Sequence, residues 1–204
     1  MPLEPRYVKK KYFIFLLITV FCWRCNKDHF SYVTNPENRK DFILAGETGA
    51  DINYHDITPD WERYAYGLAG DSINIDLNAD NLADISIKYA TFSGTDNYIT
   101  QTTVSSLNGA EFSLSPKNLY DTINAFSSWS SSTSLLSFTK IDFSTNDTSL
   151  SGLWISKLDK YLGVKISKNG QITYGWIRMS LLVNPATVYV QDIVVKDFAC
   201  RKPE

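Results

Sequence analysis

The sequence predicts an all-β fold: an antiparallel β-sandwich or jelly-roll, built as a single domain over residues 41–204. Three observations predict it. Short apolar or alternating runs are separated by turn residues along most of the chain, the pattern of many short strands. The polar residues are mostly Ser, Thr, Asn and Asp beside 12 Tyr and 11 Phe, a balance that favours strands and turns. Glu occurs only as Glu4, Glu37, Glu47, Glu62, Glu111 and Glu204, too sparsely for long exposed helices.

Taken in order, the first element is the apolar run Phe42-Ile43-Leu44-Ala45, closed by Gly46. Asp51 to Ile57 alternates in part, and Thr58-Pro59-Asp60 is expected to end it in a turn. Trp61 to Gly70 reads as a short helix or an aromatic-rich connection. Ile73, Ile75 and Leu77 then alternate on one face, and Ile85 and Ile87 resume the pattern after an Asp- and Asn-rich loop. Thr91 to Ser106 is rich in Thr and Ser around a Gly94-Thr95-Asp96-Asn97 turn. Glu111 to Leu114 reads as a strand ended by Ser115-Pro116. The serine-rich run Ser127 to Ser134, broken by Trp129, has the composition of a mobile insert.

The C-terminal third is the most regular part. Leu153-Trp154-Ile155 and Tyr161 to Ile166 read as strands, and Gln171 to Ser180 returns after Asn169-Gly170. Asn-Gly between alternating runs signals a tight type I′ hairpin. Asn184-Pro185 makes the next turn, and a last strand is expected from Thr187 through Val190 and Ile193 to Phe198.

The N-terminus points to export. Lys9, Lys10 and Lys11 precede an apolar run from Tyr12 that continues through Phe21 and Trp23, shorter than a relaxed transmembrane span. Residues 1–25 are assigned to a lipoprotein-type signal peptide and residues 26–40 to a tether, marked by Asn35-Pro36. The Cys after the apolar run resembles the lipobox of bacterial lipoproteins, and Cys25-Asn26-Lys27-Asp28 resembles the start of many Bacteroidetes lipoproteins. Lipidation is assigned to Cys25, with Cys22 as the alternative and plain secretion or a periplasmic address after that. Arg24 and Phe21 stand where a lipobox usually has small residues. Lipidation at Cys25 leaves Cys200 unpaired, whereas lipidation at Cys22 leaves Cys25 and Cys200 open to a bridge. The expected partner is therefore the membrane, through an outer-membrane or cell-surface lipid anchor. A formal net charge of -2 argues against nucleic acid.

The chemistry-bearing stretch is Ser72 to Tyr89. With Asp76 as position one, oxygen side chains recur at Asp76, Asn78, Asp80 and Asp84, and Leu82 would offer its backbone carbonyl. Acceptors at alternate positions of a tight loop converge on one point, which suits calcium. Asn81 occupies the sixth position, where a left-handed backbone is needed and Asn tolerates one. The twelfth position is Ile87, not the Glu of an EF-hand. The loop instead resembles the Asp-rich inter-strand loops of integrin-type propeller blades. The competing reading is a polar hairpin whose Asx side chains bond their own backbone.

Asp76 to Ile85 also resembles the "Asp-Leu-Asn-x-Asp-Gly-x-x-Asp-Phe" segment of uncharacterised exported bacterial proteins. Their later "Tyr-Gly-Trp-Ile-Arg" strand is matched by Tyr174-Gly175-Trp176-Ile177-Arg178, and an "Asp-Tyr-Ala-Tyr" ending appears as Asp197-Phe198-Ala199-Cys200. The resemblance implies an exported β-rich protein without an assigned activity. Tyr174, Trp176 and Arg178 share one face of a strand. That face is a candidate platform for glycan or an envelope protein, against the alternative that Trp176 sits in the core and Arg178 pairs with a carboxylate. Catalytic candidates are thin. His55 and Asp56 are adjacent in a strand and point apart, and no Gly-x-Ser-x-Gly elbow occurs. The leading expectation is a non-catalytic, surface-anchored sandwich with a structural calcium loop; the alternative is a secreted carbohydrate-active enzyme.

Overall fold

The structure, a computed structural model, describes residues 41–63, 70–183 and 191–203. The expected signal peptide and tether, Cys22, Cys25, Asn184-Pro185 and the start of the expected last strand lie outside the described residues. Within them the chain is strand and turn. The strands are β1 (Phe42–Leu44), β2 (Ile52–Arg63), β3 (Asp71–Ile75), β4 (Ile85–Ser93), β5 (Asn97–Ser106) and β6 (Ala110–Lys117). They continue with β7 (Thr122–Asn124), β8 (Ser134–Asp142), β9 (Asp147–Ser151), β10 (Lys157–Lys168), β11 (Gln171–Val183) and β12 (Gln191–Arg201).

These strands make two five-stranded antiparallel sheets and a small ribbon. Sheet one has the order β2-β12-β11-β10-β6, sheet two the order β3-β4-β5-β8-β9, and β1 pairs with β7. The expected sandwich is therefore the observed architecture. Its main core lies between the sheets. Ile75, Ile85, Ile87, Tyr89, Val104 and Leu136 of sheet two meet Leu162, Val164, Ile166, Ile177, Met179, Leu181 and Val195 of sheet one. Alternation sets this, because every second residue of each strand faces the partner sheet.

The other face of sheet one carries a second core. Tyr161, Tyr174, Trp176 and Ala199 pack there against Ile43 and Ala45 at β1 and Ile123 of β7. The ribbon comes close because Gly163 leaves room: a Cβ there would stand 3.2 Å from Ile123. Arg201 ties the ribbon to the end of β12. Its Nε donates to the Phe42 carbonyl (3.1 Å), and its guanidinium pairs with Glu47 and Asp51.

Several elements differ from the sequence reading for physical reasons. Thr58-Pro59-Asp60 does not end β2. Val195 pairs with Trp61 and Asp197 with Asp56, so Ile57 to Asp60 form a bulge opposite Lys196, with Ile57 packed on the main core, and the strand resumes to Arg63. A bulge on an edge strand accommodates Pro. Pro116 likewise sits within β6, the other edge of sheet one, beside a register shift between Tyr161 and Gly163. Of the stretch expected as a short helix or connection, Trp61 to Arg63 is strand, and residues 64–69 lie outside the described residues. Leu153-Trp154-Ile155 is a turn whose Trp154 is buried, with its indole N–H on the Leu114 carbonyl (2.8 Å).

The serine-rich segment is not a free insert. Ser130 and Phe112 exchange both backbone hydrogen bonds at 2.9 Å, and Trp129 packs on Tyr174 with ring centroids 6.0 Å apart. The Asn169-Gly170 hairpin is as expected. Both residues have positive φ (52° and 78°), and Lys168 pairs with Gln171 across the turn.

Candidate metal loop and aromatic strand

The loop from Asp76 to Asp84 joins β3 to β4 at one end of sheet two. Its base is firmly closed: the Asp84 N–H donates to the Ile75 carbonyl (2.8 Å). Asp84 is almost fully buried and faces inward, where its carboxylate accepts the N–H of Leu77 (2.9 Å) and that of Asn78. Burial, helped by the nearby Asp80 and Asp76 charges, pushes Asp84 up to about 6 despite these two donors.

The outer part of the loop winds around its own acceptors. Asp76 accepts the N–H of Asp80 on one oxygen (3.2 Å) and that of Asn81 on the other (2.7 Å). Asn78 Oδ1 also accepts from the Asp80 N–H (3.0 Å), and Asp80 Oδ1 accepts from the Leu82 N–H (2.9 Å). The winding needs two left-handed residues, Ala79 (φ 60°) and Asn81 (φ 68°). Asn81 thus has the backbone expected of the sixth position, and Asn tolerates it better than Ala does. The second oxygen of Asp80 pairs with the Lys168 ammonium, from the end of β10 in the opposite sheet. That pair and the Leu82 N–H hold the Asp80 carboxyl below its usual range, Lys168 having the larger effect.

The expected ligands are therefore brought into one loop. Asp84 turns into the core, Asp80 turns to Lys168, and the Leu82 side chain is exposed. As the side chains stand, no group of three or more His, Cys, Asp or Glu among the described residues could hold a metal ion.

The loop also touches the opposite sheet. Leu77 is fully buried and reaches Gly175 of β11, where a Cβ would stand 3.0 Å from Leu77 Cδ2 and 2.5 Å from the Ala199 carbonyl oxygen. The Leu107 N–H donates to the Asp84 carbonyl (2.8 Å), and Asn108 Nδ2 donates to the Ala83 carbonyl (2.7 Å). The Asp-rich loop and the Tyr-Gly-Trp-Ile-Arg strand thus meet at one contact. Glycine is required there by space, since φ at Gly175 is not in the left-handed region. Cys200 pairs with Gly175 across the ladder and carries a free, buried thiol, pushed up to about 12 by burial.

Tyr174, Trp176 and Arg178 do share one face of β11, but the ribbon covers most of it. Tyr174 and Trp176 are buried in the second core, with the Trp176 indole N–H on the Glu47 carbonyl (3.2 Å) and an edge-on Tyr161 ring at 5.3 Å. The two rings present no open stacking platform. Arg178 makes a two-pronged pair with Asp197 (2.9 and 2.6 Å), whose carboxylate also accepts the Tyr54 hydroxyl (2.9 Å). Burial and that carboxylate push the Tyr54 hydroxyl up to about 12. His55 stacks on Phe198 at 5.0 Å, while Asp56 lies opposite Asp197, so the two neighbours face opposite sides of β2.

Sequence reasoning missed Lys168, a lone charge beside a hairpin turn, and the role of Gly175. An unexplained glycine inside an alternating strand signals close backbone approach, and that signal was present. Comparison of the chain with protein-family models, with curated proteins and with solved structures gives no match. No described helix is long and apolar enough to cross a membrane.

Proposed function

We propose that the protein is an exported, lipid-anchored, non-catalytic β-sandwich in which the Asp76–Asp84 loop acts as a clasp between the sheets. The observation that carries the clasp is the seating of Leu77 against Gly175, reinforced by the reach of Lys168 to Asp80. The buried Asp84 carboxylate fixes the base of the loop from inside. A loop bound at its base, tip and side suits a structural task better than chemistry on a substrate. The export signal and the Cys25 anchor, with Cys22 as alternative, rest on the leader sequence and on the resemblance to exported lipoproteins. An envelope module of this kind would contact glycan or another envelope protein.

Calcium is the ligand we assign to the clasp. The left-handed Asn81 and the alternate spacing of Asp76, Asn78 and Asp80 support it, as does the mutual repulsion of three carboxylates in nine residues. A second reading is favoured by Lys168: the loop is a metal-free clasp whose positive partner is that ammonium. Thermal melting in millimolar calcium and in chelator separates the two, because a ligand held only by the folded state raises Tm. A higher Tm in calcium supports the first reading; an unchanged Tm leaves the second. Mass spectrometry of the membrane fraction tests the anchor, and an unacylated N-terminus would remove it.

A further inference from the structure

The inner face of sheet two changes character along its strands. Near the loop it is apolar, with Ile85, Ile87, Val104 and Leu136. Further along it carries hydroxyls. Tyr89 of β4 lies opposite Thr102 of β5, and Thr102 lies opposite Ser137 of β8. In the next row Thr100 lies opposite Thr139. Directly paired residues share a face, strands lie about 4.8 Å apart, and rows two residues apart lie about 7 Å apart. The five side chains therefore form one compact grid. Gln191 of β12 reaches it from sheet one, where Thr102 Oγ1 donates to Gln191 Oε1 at 3.5 Å.

All six side chains are at most 2% exposed. Yet Tyr89 Oη, Thr100 Oγ1, Ser137 Oγ, Thr139 Oγ1 and Gln191 Nε2 have no hydrogen-bond partner within the protein. Buried polar groups are almost always paired. Leaving five of them dry would cost about as much as the whole net stability of a domain. The chemistry of the lining narrows what pairs with them. Hydroxyls offer one donor and two acceptors, and the amide nitrogen offers two donors. None of the six carries a charge at neutral pH, and the nearby Asp192 carboxylate, whose Oδ1 likewise has no partner within the protein, is negative, so a buried anion would find no counter-charge there.

We propose that these side chains line an internal binding site for small neutral hydroxyl groups, held between the two sheets and supplied by ordered water or by a small polyol such as a monosaccharide. Hydroxyls that both donate and accept match a guest that does the same. Its position away from the Asp76–Asp84 loop makes it independent of calcium.

The test uses the full chain and two near-isosteric variants, Thr100→Val and Thr139→Val. Oxygen-17 relaxation dispersion of water reports long-lived internal waters in the wild type. Thermal melting with and without millimolar glucose reports a polyol. The expected result is an occupant in the wild type by one of these probes, and a Tm lower by about 2–4 °C in each variant. Long-lived water alone identifies water as the source; a glucose-dependent rise in Tm that both variants lose identifies the polyol. Variants as stable as the wild type or more so would overturn the proposal, because a dry hydroxyl gains from replacement by a methyl group. Absence of both signals in the wild type would overturn it whether or not the variants fold.

Discussion

Gly175→Ala is the sharpest perturbation of the contact between loop and strand. The added Cβ would lie 2.5 Å from the Ala199 carbonyl oxygen, 3.0 Å from Leu77 Cδ2 and 3.3 Å from Cys200 Cα. Leu77 is a side chain and can yield; the Ala199 carbonyl belongs to the neighbouring strand and cannot move without disturbing the β11–β12 ladder. Overpacking of this kind costs about 1–3 kcal/mol. At about 2–4 °C per kcal/mol for a domain of this size, Tm falls by about 2–12 °C. Leu77→Ala alone removes a fully buried side chain and costs about 2–5 kcal/mol. Combined, the two substitutions should cost less than their sum by about 0.5–3 kcal/mol, since the second removes one of the clashes made by the first. Urea unfolding followed by the fluorescence of the buried Trp154 and Trp176 measures all three variants. A Gly175→Ala variant as stable as the wild type, or strict additivity in the pair, would refute the seating of Leu77 on Gly175.

Other consequences can be read with the same assays. Lys168→Gln frees an oxygen of Asp80, so the variant should be destabilised by less than about 1 kcal/mol without calcium and should gain more Tm from calcium than the wild type does; an equal gain would mean that Lys168 does not compete with the metal. Burial raises Asp84 to about 6, so the folded state binds a proton there more readily than the unfolded chain does. Its contribution to stability is therefore full below about 4, the unfolded value, and is lost as pH rises through about 6. Asp84→Asn should flatten that segment of the stability profile, and an unchanged slope between pH 4 and 6 would count against the buried placement. Trp176→Ala should cost about 3–5 kcal/mol, as for a core aromatic; a stable variant that lost only saccharide binding would instead restore the ligand face.

The parts of the fold legible in the sequence were those with strong local rules. Asn169-Gly170 fixes its hairpin because both residues tolerate positive φ, and the alternation of Ile73, Ile75, Ile85 and Ile87 marks one wall of the core. Pro59 and Pro116 misled, because they mark edge bulges here and not strand ends; edge position is a property of sheet order, which local sequence does not carry. The serine-rich run was read from composition, whereas its order comes from Trp129 and Ser130 finding partners on β11 and β6. In the loop, spacing alone showed that Asp76, Asn78, Asp80 and Asp84 share a tight turn. It did not show that Asp84 points inward, since that depends on Leu77 being drawn under Gly175 from a strand almost a hundred residues away. The hydroxyl grid was hidden because Thr and Ser in a strand look solvent-facing until both flanking strands are placed.

Native-state hydrogen exchange at the amides of Leu77 and Asp84 tests the clasp most directly. Both N–H groups are held at the base of the loop, by Asp84 and by the Ile75 carbonyl. If the loop locks the sheets together, these amides exchange only when the core strands β4 and β11 do, with the free energy of global unfolding. Exchange of Leu77 and Asp84 far ahead of β4 and β11 would show a loop that opens on its own, and would contradict the account.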